Sequence, residues 1–130
     1  ISDTGRKIPV MIEVKGKKGD LIKTNVKGEV ENINKNSEPN YQNITKYAVN
    51  GAVHYANAIL EYTESYKEVV AIGVNGYEET GKTIYEVDVW YISKENLFVP
   101  KHVGRYEDIS FLLGNNAKEF VHALFFADEQ

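Results

Sequence analysis

Apolar and polar residues alternate near the start of the chain. Ile8, Val10, Ile12 and Val14 fall on one face and Pro9, Met11, Glu13 and Lys15 on the other, which predicts a strand packed on at least one side and ended by Gly16. From Lys17 to Asn40 the chain is polar, rich in Lys and Asn, and carries Ser37 and Pro39 with little hydrophobic period. This predicts a long loop with one short strand at most, and a loop of that length points to a functional or mobile segment. From Tyr41 the period becomes helical: Ile44, Ala48, Gly51 or Ala52, Tyr55, Ile59 and Tyr62 predict one helix of about six turns. Asn43, Tyr47, Asn50, His54, Asn57 and Glu61 form its opposite stripe. Gly51 costs about 1 kcal/mol against Ala in an exposed helix interior, so its presence there suggests a close backbone approach, for instance to a sheet.

Residues 69–74 are a continuous apolar run, as expected of a strand buried on both faces. After a turn-rich stretch from Asn75 to Lys82, residues 83–92 alternate again, with Glu86, Asp88 and Trp90 on one face and Tyr85, Val87, Val89 and Tyr91 on the other. That pattern suits an antiparallel partner joined by a long hairpin loop. Residues 106–113 and 117–126 read as two closing helices split by Gly114, with Asn115 or Asn116 as N-cap and Ala117, Phe120, Val121, Leu124 and Phe125 as the core stripe of the second. The order is β, long loop, α, β, β, α, α, an α/β fold with a mixed sheet flanked by helices.

A chain of 130 residues is one domain by length, and 42% hydrophobic with 26% charged residues is ordinary globular composition. The opening ISDTGRKIPV lacks an initiator Met and reads as a hairpin turn, and FFADEQ stops just after a helix, so the expectation is a fragment of a larger protein. There is no cysteine, hence no disulfide framework and no thiol nucleophile, which suits the cytoplasm. No apolar run approaches the roughly 20 residues of a membrane span. The net charge of −4 argues against a nucleic-acid partner until its distribution is considered. Between Arg6 and Lys27 seven bases face two acids, and such a patch engages phosphates over a Debye length of about 8–10 Å. The plain alternative is a solvated lysine loop.

Glu13 and Lys15, two apart on a strand, point to the same side and can reach one reacting centre. A carboxylate can hold Mg²⁺ while an ammonium positions a water or stabilises charge developing on a phosphate, a combination suited to phosphodiester hydrolysis. A second carboxylate is needed to complete a cation site. Glu-x-Lys is also common where an apolar strand simply emerges into solvent. Glu86 and Asp88 form another acidic pair, expected on the wet face of an edge strand. No glycine-rich phosphate loop, nucleophile elbow or His-x₃-His spacing is present.

The segment IPVMIEVKG, a lysine-rich loop, the helix containing YAVNGAVHYA and the strand EVVAIGV together resemble the PD-(D/E)xK nuclease superfamily, covering roughly residues 8–92. More narrowly they resemble the amino-terminal nuclease-like domain of bacterial restriction-modification proteins that also carry an N6-adenine methylase. The resemblance implies a restriction-endonuclease-like mixed sheet lacking its first elements, an endonuclease acting on double-stranded DNA with Mg²⁺, and further domains such as a methylase on the same polypeptide. It makes Glu13 a metal ligand, Lys15 the superfamily lysine, and Val14 a core-facing residue whose carbonyl reaches the metal. Lys17, Lys18 and Lys23 would contact DNA, as would Asn50 and His54 on the polar helix stripe. The proline-aspartate half of the motif is not where the family has it: Asp3 follows Ser2 in the hairpin turn. Either Asp3 is the second metal ligand or the aspartate lies upstream of Ile1, and strand pairing across the turn favours the latter, in which case the fragment is inactive. The alternative on the same fold is a non-catalytic module that grips DNA or positions a neighbouring domain.

Overall fold

The computed structural model describes residues 2–3, 6–113 and 116–128. A short ribbon of β1 (Ser2–Asp3) and β2 (Arg6–Lys7) precedes the first long strand, β3 (Val10–Lys15). The polar stretch that follows is a loop whose strand-like pairing is limited to two isolated bridges, Thr24 with Val30 and Ile33 with Pro39. Helices α1 (Tyr41–Lys46) and α2 (Ala48–Tyr62) lead into β4 (Glu68–Glu79), β5 (Lys82–Ser93) and β6 (Lys101–Tyr106). A 3₁₀ turn (Ser110–Leu112) and α3 (Asn116–Asp128) close the chain. The main sheet runs β3-β4-β5-β6, with β3 parallel to β4 and the other pairs antiparallel. Parallel pairing requires a crossover, which the loop and α2 supply. The fold is α/β, a mixed sheet flanked by helices.

Each face of the sheet has its own core. On one, Val49, Ala52, Val53, Ala56 and Leu60 of α2 pack on Val69, Ala71, Trp90 and Ile92. On the other, Phe120 and Leu124 of α3 and Phe111 of the 3₁₀ turn cover Ile8, Val70, Ile72, Val89 and Tyr91. This second layer stops short of the far end of β3. Ile12 is therefore 43% and Val14 65% exposed, and Val14, expected to face the core, does not.

Four other expectations are corrected. The long helix is broken at Tyr47, whose extended backbone (φ −106, ψ 137) ends α1 and starts α2 on a new phase. The buried stripe of α2 consequently shifts, leaving Tyr55 and Tyr62 exposed and bringing Asn50 into the interior. Asn75 and Gly76 lie within β4, and the hairpin turns tightly at Thr80-Gly81, where φ values of 50 and 78 are those of a two-residue primed turn. Residues 101–106 form an edge strand, so β5 is internal and Asp88 is buried, where a wet face was expected. The first closing helix shrinks to the 3₁₀ turn; the second is α3, beginning at Asn116, while Gly114 and Asn115 lie outside the described residues.

Gly73 sets the depth of α2 on the sheet. A Cβ there would lie 2.5 Å from Val49 Cγ2 and 2.6 Å from its backbone nitrogen. The neighbour is main chain and cannot rotate away. Gly73→Ala is expected to destabilise the protein by roughly 2–3 kcal/mol in urea unfolding. Gly16→Ala, whose Cβ would meet its nearest atom at an ordinary 3.7 Å, should stay within about 0.5 kcal/mol.

Candidate functional site

Strand register aligns the polar residues of the α2-facing side in rows. Glu13 lies opposite Gly73, Gly73 opposite Asp88, and Asp88 opposite Arg105; in the next row Lys15 lies opposite Asn75 and Asn75 opposite Glu86. Glu13 is half-buried against α2, its Cγ 3.4 Å from where a Cβ on Gly51 would stand. That Cβ would also lie 2.9 Å from the Ile44 carbonyl oxygen. Gly51 therefore permits the close approach anticipated for it, on one side to α1 and on the other to the carboxylate-bearing strand. Lys15 shares the face of Glu13, while Val14 points to the opposite one.

Asn75, fully buried beside Lys15, donates from Nδ2 to the Lys17 carbonyl at 2.6 Å. Its Oδ1 has no hydrogen-bond partner among the described residues. Lys17 is exposed, and Lys18 forms an ion pair with Glu79. The hydrogen bond and charge of Glu79 raise the Lys18 pKa above that of a free lysine, so the ammonium stays charged. Exposed as it is, this pair adds little to stability.

Asn50 has a different part from the DNA contact expected of it. It is fully buried, its Oδ1 accepts the Lys23 N–H at 2.9 Å, and its Nδ2 donates to the Lys23 carbonyl at 3.1 Å and to Asn32 Oδ1 at 3.0 Å. Asn32 in turn donates to the Asn50 carbonyl at 2.9 Å. The amide thus ties the loop to α2 and leaves the exposed side chain of Lys23 facing outward. His54 lies on α2 between the rings of Tyr41 and Tyr55, edge-on to both at 5.7 and 5.3 Å. The backbone of Asp3 pairs with Arg6 in the separate two-stranded ribbon, and its side chain lies outside the description.

A Mg²⁺ ion takes oxygen ligands, typically one or two carboxylates with waters retained. Glu13 offers one carboxylate. Among the described residues no three His, Cys, Asp or Glu side chains gather closely enough to hold a metal ion. Glu13 is the donor on β3 that fits such an ion.

The sequence reading missed the centre of the sheet. Asp88, 1% exposed, accepts from Trp90 Nε1 at 2.8 Å on Oδ2, lies 2.8 Å from His102 Nε2 through Oδ1, and is 3.5 Å from Arg105 Nε. Asp88 and Trp90 were legible as a same-face pair. Residues 101–106 alternate too weakly to read as a strand.

Over 74 residues, 57% of this chain, the sequence is 43% identical to the type II restriction enzyme and methyltransferase RM.BcgI of Heyndrickxia coagulans. The similarity ties the chain to a restriction-modification protein. It spans about a tenth of that relative's length. No protein-family model and no solved structure matches. No helix among the described residues is long and apolar enough to cross a membrane.

Because the Asn50 side chain makes three of these hydrogen bonds between loop and helix, Asn50→Ala is expected to cost about 2–3 kcal/mol. Hydrogen exchange at residues 23–32 should accelerate well beyond that in β4 and β5. Equal acceleration across the whole sheet would show that the amide does not act on the loop in particular.

Proposed function

We propose that this chain is the DNA-endonuclease domain of a cytoplasmic restriction-modification protein, a nuclease-like domain of the PD-(D/E)xK kind joined to a methylase on one polypeptide. The similarity to a protein that is both restriction enzyme and methyltransferase carries the reading. Glu13 and Lys15, side by side at the α2 face, are the residues suited to hydrolysis. In this proposal Mg²⁺, when bound, supplies Lewis-acid chemistry, with Glu13 as one ligand, the Val14 carbonyl beside it, and the remaining carboxylate from Asp3 or from a residue upstream. The Lys15 ammonium orients toward the scissile phosphate and stabilises its developing charge. Lys17, Lys18 and Lys23 along the loop, with His54 at its edge, meet the DNA backbone, and Asn50 holds the loop that presents them.

A second reading, a non-catalytic DNA-binding or domain-positioning module, draws on the exposed lysines of the loop, Lys17, Lys18 and Lys23, which suit phosphate contact without any cleavage chemistry. Nicking of supercoiled duplex by the intact protein separates the two. On the enzyme reading Lys15→Ala and Glu13→Gln each lower Mg²⁺-dependent cleavage by about a hundredfold or more, with DNA affinity changed only a few-fold. Undiminished cleavage by both variants would leave the module reading in place.

A further inference from the structure

We infer that His102 and Arg105, held by the buried carboxylate of Asp88, form a second contact edge for the phosphates of duplex DNA, on β6. The inference rests on the DNA reading above and adds to it a surface distant from Glu13 and Lys15. Strand β6 reads KHVGRY, three basic residues and no acid, and it is one of the two edge strands of the main sheet.

On a regular strand His102 and Arg105, three apart, would point to opposite faces. The register shifts between Val89 and Trp90, so that Trp90 pairs with His102 and Val89 with Gly104, and this bulge turns both side chains toward Asp88. A buried carboxylate is costly unless compensated, and here Trp90, His102 and Arg105 compensate it. Each base spends one nitrogen on the task. Their side chains remain 48% and 54% exposed, so His102 Nδ1 and the two Arg105 Nη groups are left to face a ligand. A guanidinium anchored through Nε presents those Nη groups as a fork suited to phosphate oxygens. The acids that follow β6, Glu107 and Asp108, line a groove with Ile12 and Val14 on the opposite face, while Glu29 and Glu31 of the loop line the cleft beside Lys101 and His102. Arg105 stands in the same row as Glu13, three strands away, roughly 14 Å at about 4.8 Å per strand.

Trp90 is the chain's one tryptophan, with its ring centroid 4.9 Å from that of His102, and its fluorescence therefore reports on the site. The 130-residue chain is titrated with a 20-base-pair duplex in EDTA across a salt series, with thermal midpoints measured in parallel. The expected result is that Trp90 emission responds to DNA, that Arg105→Gln and His102→Gln each weaken binding roughly three- to tenfold, and that Arg105→Gln lowers the salt slope by about one. Asp88→Asn should also weaken binding although it removes a negative charge, because Asp88 positions both bases; if that variant fails to fold, the two half-exposed positions carry the test. Wild-type affinity and salt slope in Arg105→Gln and His102→Gln, whatever their thermal midpoints, overturn the inference. If Lys17→Ala and Lys23→Ala then weaken binding, the DNA reading survives without the β6 edge; if they do not, both fall.

Discussion

The distance between α2 and β4 governs everything on one side of the sheet. Gly73 lets the backbone of Val49 come within reach of the strand, and no other residue leaves that space open. Once α2 sits at that depth, Gly51 comes against Glu13, the loop lies over Asn50, and Val53 and Ala56 seal the core above Ala71 and Trp90. Removing a side chain at one row of the sheet thus aligns a helix, a loop and a carboxylate. Close packing transmits such a constraint because interiors have little slack to absorb a displacement.

Two buried polar side chains complete the arrangement. Asn50 satisfies main-chain groups of a loop with almost no secondary structure of its own, and Asp88 satisfies an indole and draws in two bases from the edge strand. Both are directional: a buried amide or carboxylate is tolerated only when its partners stand at the right angles and distances. They confer position where apolar contacts, being non-directional, cannot. The two outermost segments of this face, the lysine loop and β6, are each held in this way.

The opposite face is organised by coverage. The layer formed by α3 and the 3₁₀ turn shields the first half of β3 and leaves Ile12, Val14, Tyr85 and Ile109 accessible. The uncovered end of β3 on this face therefore lies adjacent to the Glu13 and Lys15 pair.

Period and turn chemistry by themselves determined that β3, β4, β5 and α3 exist, that β4 is buried on both faces, and that Glu13 and Lys15 share a side, since these follow from the twofold and 3.6-fold geometry of the chain. The resemblance carried by IPVMIEVKG and YAVNGAVHYA also pointed to restriction-modification, which the relative supports. The break at Tyr47, the inward turn of Asn50, the exposure of Val14 and the meeting of Asp88 with His102 and Arg105 were decided by tertiary structure alone. Each depends on which layer covers which end of a strand, or on a bulge that reverses a side chain's direction, and neither is encoded in local spacing. Hydrophobic periodicity says that a face is apolar; only packing says whether anything covers it.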